Sequence, residues 1–173
     1  MSSPDSHQKN LIRPFLIFKD LEDPELDYFC EKAKKEIIPK DEMFIVEGEH
    51  GDSVFLLIDG SVEIIQALTL NVSKGETDNR EKALTKLDHT MHPFIGEMAL
   101  FATDDRRTAS VKALTECTFM KLMNNDILEI CSTHPRTGYK VMRNLCQLLT
   151  TNLVRANKNV LKLTTAFSLV LER

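Results

Sequence analysis

The sequence has no Cys-x-x-Cys pair. Its four cysteines, Cys30, Cys117, Cys131 and Cys146, stand far apart, a pattern that points to buried, reduced thiols in a cytoplasmic protein. No apolar run approaches membrane-spanning length, and the polar start Ser2-Ser3-Pro4-Asp5-Ser6 carries no signal-peptide core. Positive charge is not in excess: 26 acidic residues face 22 basic ones, for a formal net charge of −4. That balance argues against nonspecific nucleic-acid or anionic-membrane binding as the main activity, while leaving room for a local basic patch. Histidines are few, and only His89 and His92 lie close together, in an apparent loop, so no metal site is expected. A nucleophile–base set is also missing, and an enzyme is not expected.

What is present suits one soluble domain. The chain has 173 residues, 42% hydrophobic and 28% charged, enough to bury a sizeable core. Residues 1–10 read as a polar, disordered lead-in. Helical signals follow. Asp23-Pro24-Glu25 looks like an N-cap with proline at the first helical position, and Leu26, Phe29, Cys30 and Ala33 share one face. From Glu36 to Leu122 short apolar strands alternate with turns, which favours a small sandwich or barrel. Among these, Asp59-Gly60 separates Val54–Ile58 from Ser61–Ile65 and reads as a β-hairpin turn. Residues 71–79 read as an exposed hairpin tip. Gly48, Gly51 and Gly60 are expected to serve turns needing positive φ.

The stretch Phe94-Ile95-Gly96-Glu97-Met98-Ala99-Leu100-Phe101, followed by Arg106-Arg107-Thr108-Ala109-Ser110-Val111, carries the chemistry. Gly96 permits close backbone approach. A helical turn over Met98–Ala102 would offer free N–H groups to an anion. Arg107 supplies a guanidinium suited to phosphate, and Glu97 can accept from a hydroxyl. Together they suit a ligand with both a phosphate and a sugar hydroxyl.

These residues resemble the phosphate-binding cassette of the cyclic-nucleotide-binding domain family, whose two halves stand here as Ile95-Gly96-Glu97-Met98-Ala99-Leu100 and Arg107-Thr108-Ala109-Ser110-Val111. The preceding Gly-Asp/Glu turn of that family is replaced by His92-Pro93. The resemblance implies an α+β fold: an antiparallel β-barrel or jelly roll (double-stranded β-helix) over roughly residues 36–122. N-terminal helices and a long C-terminal helix would flank it, within one domain spanning 11–173.

The C-terminal segment carries a second signal. From Pro135 one helix can run to Leu171, with Tyr139, Met142, Cys146, Leu149, Leu153, Ala156, Val160, Leu163, Phe167 and Val170 alternating at spacings of three and four. That a/d seam predicts a parallel homodimer through residues 139–170. With a short helix capped by Asn125-Asp126 ahead of it, the C-terminal helices occupy 125–172. The layout resembles the effector half of the catabolite activator protein family. The sequence ends where that family's hinge and helix-turn-helix would follow, so the expectation is a sensor that binds no DNA and acts on a separate, unknown downstream protein; a piece of a larger regulator is the other possibility.

By the same resemblance, Arg107 takes the cyclic phosphate, with Gly96, Met98 and Ala99 adding backbone groups and Thr108 and Ala109 lining the site. Glu97 takes the ribose 2′-hydroxyl, and Arg106 stays a solvated loop charge. Asn152, with Thr151 beside it, falls where the long helix meets the base. The implied ligand is cAMP, with cGMP the alternative suggested by Arg107-Thr108-Ala109. A degenerate dimeric interaction module, and a relative tuned to haem or a cyclic dinucleotide, are the competing readings.

Overall fold

Two runs, Ser53–Asp59 (β3) and Cys117–Met123 (β8), are apolar on both faces, because the sheet they form is covered on both sides. A computed structural model describes residues 6–72, 76–102 and 104–171. In it β3 and β8 join Lys34–Ile38 (β1) and Phe94–Ile95 (β6) in an antiparallel sheet of order β1-β8-β3-β6. Met43–Ile45 (β2), Ser61–Val72 (β4), Glu76–Asp88 (β5) and Ser110–Ala113 (β7) form the second, β2-β7-β4-β5. Odd positions Phe55, Leu57, Cys117 and Phe119 point between the sheets, onto Ile45, Val62, Val111 and Ala113. Even positions Val54, Leu56, Met120 and Leu122 point outward, onto the helices. This is the expected jelly roll, built as two facing sheets and not as a closed barrel.

The helices cover the outer face of the first sheet. They are Ser6–Ile12 (α1), Asp23–Lys32 (α2), Asn124–Thr133 (α3) and Pro135–Leu171 (α4), with a 3-10 turn at Leu16–Phe18. Ile12, Phe15, Phe18, Leu26 and Phe29 are buried there with Val141 and Leu145 of α4, each worth about 1.5–3 kcal/mol of transfer free energy. Asn144, fully buried on α4, donates from Nδ2 to the carbonyls of Ile17 and Lys19 at 3.2 and 2.7 Å. Glu25 binds the start of α2 to α4. Its carboxylate accepts the Glu22 N–H at 2.8 Å, the Thr137 hydroxyl at 3.1 Å and Lys140 Nζ at 2.6 Å.

Several expectations are corrected. Residues 6–10 are helical rather than disordered, since Gln8 donates to the Cys30 carbonyl at 2.9 Å and Lys9 pairs with Asp27 at 2.6 Å; residues 1–5 lie outside the described residues. Glu22, not Asp23, is the N-cap of α2, and Met123, not the Asn125-Asp126 pair, is that of α3. Asp59-Gly60 is no hairpin. β3 pairs with β6 and β8 while β4 pairs with β5 and β7, so this turn carries the chain from one sheet to the other. Gly60 has φ 98° there, and a Cβ would stand 2.6 Å from the Glu116 carbonyl oxygen of the facing corner. The true hairpin is β4–β5, paired from Ser61↔Asp88 to Val72↔Glu76, so strand pairing takes up most of the expected tip at 71–79, and residues 73–75 lie outside the description. All four cysteines are free, but only Cys30 and Cys117 are buried; Cys131 is half-buried and Cys146 is exposed on α4. Burial pushes the Cys30 and Cys131 thiols up to about 11. His89 approaches Asp59, at 3.6 Å, and His92 meets the Phe15 ring edge-on.

Candidate functional site

Arg107 is placed by backbone bonds between two loops distant in sequence. Its N–H donates to the Glu49 carbonyl at 2.8 Å and its carbonyl accepts from Gly48 at 2.9 Å. Gly51 N–H donates to the Asp105 carbonyl at 2.7 Å, and His50 and Arg106 form an isolated bridge. The side chain, 8% exposed, then passes between two glycines. A Cβ on Gly51 would lie 2.7 Å from Nε, and one on Gly96 2.5 Å from Nη1. Gly51, without positive φ, therefore serves close approach and not a left-handed turn, whereas Gly96 does both, with φ 91°.

The guanidinium has weak partners. Nη1 lies 3.5 Å from the Gly96 carbonyl and Nη2 3.5 Å from Ser53 Oγ. Neither is a carboxylate. Two nearby loop acids are engaged elsewhere: Asp104 with Arg106 at 3.4 Å and Asp105 with His50 at 2.7 Å. Burial lowers the Arg107 pKa and Asp52 only partly offsets this. A buried cation with such partners is a site whose electrostatics an anion would complete.

Across Gly96, Glu97 opens a 3-10 turn over Glu97–Leu100. The turn starts one residue earlier than the expected helical turn and is shorter. One anticipated free amide is taken, because Ala99 N–H donates to the Gly96 carbonyl at 3.3 Å. Burial raises the Glu97 carboxyl above its ordinary value, against backbone N–H bonds from Glu97 and Gly96. Asn152 Nδ2 of α4 approaches Glu97 Oε1 to 3.5 Å. Cassette and long helix thus touch at the two side chains assigned to the hydroxyl and the base.

The remaining expected residues divide. Ala99 is buried, Ala109 half-buried, and Met98 and Thr108 are exposed at the rim, where Thr108 Oγ1 donates to Met98 Sδ at 3.4 Å. Thr151 is not brought in; its hydroxyl bonds the Gln147 carbonyl of its own helix at 2.9 Å. Arg106 is exposed and donates to the Gly48 carbonyl at 2.8 Å. Three positions escape sequence reasoning. Ser53 sits at the guanidinium, Gly51 beside it, and buried Asn124 holds the loop, donating from Nδ2 to the Gly51 carbonyl at 2.9 Å and from N to the Asp52 carbonyl at 2.8 Å. The only local signal was the turn character of Gly51-Asp52.

This architecture has known counterparts. Residues 35–134 match the family described as Cyclic nucleotide-binding domain. The cAMP-activated global transcriptional regulator CRP of Salmonella typhimurium is 26% identical over 113 residues, 65% of this chain and 49% of that protein. The chain spans about half the length of the curated relatives it matches. A cyclic nucleotide-binding domain from Methylobacillus flagellatus superposes with TM-score 0.74 at 24% identity, over 92% of this chain and 85% of that one. The catabolite activator protein of Thermus thermophilus gives TM-score 0.70 at 22% identity, over 86% and 63%. These structural likenesses concern the fold; the match over residues 35–134, which takes in the cassette and Arg107, makes the chain a member of the cyclic nucleotide-binding domain family.

Proposed function

We propose that this chain is a non-enzymatic cytoplasmic sensor that binds a cyclic mononucleotide, cAMP in preference to cGMP, and relays it through a homodimer of α4 to a separate partner protein. The observation that carries the reading is Arg107, a buried guanidinium with no hydrogen-bonded carboxylate among the described residues, set across Gly96 from Glu97. The guanidinium takes the cyclic phosphate and Glu97 takes the ribose 2′-hydroxyl. Gly96, Met98 and Ala99 supply backbone groups, and Thr108 and Ala109 line the phosphate. Asn152 faces the base, with Thr151 able to join only if its hydroxyl leaves the Gln147 carbonyl. A relative at 26% identity is described as cAMP-activated, which favours cAMP. The Thr108 hydroxyl, which donates to Met98 Sδ, is turned within the cassette, which also weighs against its use on a guanine.

The relay follows from the Asn152–Glu97 contact. A ligand that engages Glu97 competes with Asn152 and meets α4 directly, so it favours one placement of that helix over another. Titration of cAMP and cGMP by calorimetry tests the reading. The chain should bind cAMP more tightly, and Arg107→Ala should cost about 1.5–3 kcal/mol or more. A folded, dimeric chain that takes up neither nucleotide supports the alternative of a dimeric interaction module.

A further inference from the structure

Helix α4 runs 37 residues from Pro135 to Leu171 and contains no aspartate or glutamate. It carries Arg136, Lys140, Arg143, Arg155, Lys158 and Lys162, in a chain whose net charge is −4; the remainder of the molecule is correspondingly more acidic. Lys140 and Arg143 are neutralised within the fold by Glu25 and Asp20, each at 2.6 Å. Arg155, Lys158 and Lys162 lie farther out, where every residue from 149 to 169 is exposed. Their own helix offers no carboxylate at any i,i+3 or i,i+4 position to pair with them.

Their placement is not diffuse. At 3.6 residues per turn, Arg155, Lys158 and Lys162 fall within about 60° of arc, on the side opposite Leu153, Val160 and Phe167. Between cations and seam lies a second apolar strip, Val154 and Leu161, seven residues apart, 47% and 68% exposed. A second copy seated on the a/d seam covers neither the cations nor this strip, which lie at outer heptad positions.

We infer that this outer face of distal α4, formed by Val154, Leu161, Arg155, Lys158 and Lys162, docks an acidic amphipathic segment of a partner protein. The inference deepens the relay reading above, which supplies the second copy on the seam. Charge complementarity selects the class: three cations with no acidic neighbour on the helix call for carboxylates, and the apolar strip beside them calls for aliphatic side chains. A nucleic-acid backbone matches the cations but leaves Val154 and Leu161 unpartnered, and the acidic remainder of the chain repels it. A bilayer takes the broad apolar side of the helix, which turns the three cations away from the headgroups.

The test uses the full chain and a fluorescent synthetic helical peptide of glutamate and leucine at amphipathic spacing, in about 150 mM salt. The expected result is saturable binding, weakened about tenfold or more both by R155E/K158E/K162E and by V154N/L161N, with sedimentation and nucleotide affinity unchanged in each variant. Binding no tighter than that of polyglutamate, or indifferent to V154N/L161N, overturns the inference. So does tighter binding of phosphatidylserine vesicles or of a short DNA duplex. A chain that binds no nucleotide or sediments as a monomer, yet takes the peptide with this dependence, removes only the relay reading; a nucleotide-binding dimer that ignores the peptide removes only the inference.

Discussion

Arg107 and Glu97 lie on either side of Gly96, and burial acts on both, lowering the pKa of the first and raising that of the second. Each charged form is disfavoured in the free protein and favoured once a ligand supplies its counterpart. For Glu97 the sign follows directly. Its folded carboxyl holds a proton to higher pH than an unfolded glutamate, so across that window the unliganded fold loses stability as pH rises. A hydroxyl that donates to the carboxylate expels the proton, so nucleotide affinity should strengthen through the same window and level off above it. Calorimetry across pH should show this slope in the parent and a flat, roughly tenfold weaker profile in Glu97→Gln; equal slopes in both would assign the proton elsewhere. Gly51 gives a second prediction. An alanine Cβ at 2.7 Å from Arg107 Nε and 2.9 Å from Ala99 Cβ forces the guanidinium out of its slot, so Gly51→Ala should weaken nucleotide binding about tenfold or more while leaving the thermal midpoint near the parent's. Neither the slot nor its depth was legible in the sequence. Gly-Glu and Arg-Thr-Ala announce a phosphate and a hydroxyl, but Ser53 lies 54 residues from Arg107 and Asn124 73 from Gly51, separations that no local pattern encodes.

At the scale of elements, what read correctly was what local physics decides. Pro135 opens a helix and the spacing of three and four carries it to Leu171; apolar runs between turn residues are strands. What misread was partner choice. Asp59-Gly60 has the chemistry of a hairpin because a corner between two sheets also needs positive φ and a close approach. Only the pairing of β3 with β8 and of β4 with β7 separates the two. The start of α1 misread for a related reason, since polar Ser6–Asn10 becomes helical through Gln8 and Lys9 contacts with α2. Those contacts matter because α2 also anchors α4. Burial alone would push the Glu25 carboxyl up, but Lys140, the Glu22 amide and Thr137 outweigh it, so its pKa falls below the ordinary value. Its stabilisation is therefore complete above the usual glutamate range and is lost as pH falls through the lowered value. Glu25→Ala should cost about 2 kcal/mol in denaturant unfolding at neutral pH, from losing hydrogen bonds to charged groups, and the deficit should shrink toward acid. A deficit independent of pH would show that packing, and not the charge, does the anchoring.

The whole molecule is a jelly roll with a helix that outruns it. Residues 149–171 extend about 33 Å at 1.5 Å per residue, with Leu153, Val160, Leu163 and Phe167 among the exposed large apolar side chains. A single copy gives this stripe nothing to bury against among the described residues, whereas Val141 and Leu145, about two turns and one turn before Leu149, are already in the protomer's core. On the proposed dimer the same helix would serve two interfaces, the proximal part fixed to the sheet and the exposed distal part seated on a second copy. Such a division would make the proposed dimerisation separable from folding. Val160 is 62% exposed and sits at the middle of the seam, so Val160→Glu places two like charges face to face in a parallel pair and removes two β-branched knobs. Sedimentation should then report a monomer at micromolar concentration with the parent's thermal midpoint for the β-sheet domain. Calorimetry should still detect nucleotide, because Arg107 and Glu97 lie within one protomer. Hydrogen exchange should separate the two roles of α4. In the parent, nucleotide should add protection over residues 135–171; in the monomer it should protect only the turns that flank Asn152. Protection that reaches residue 169 in the monomer would mean that the signal travels along the helix without a second copy to pack against.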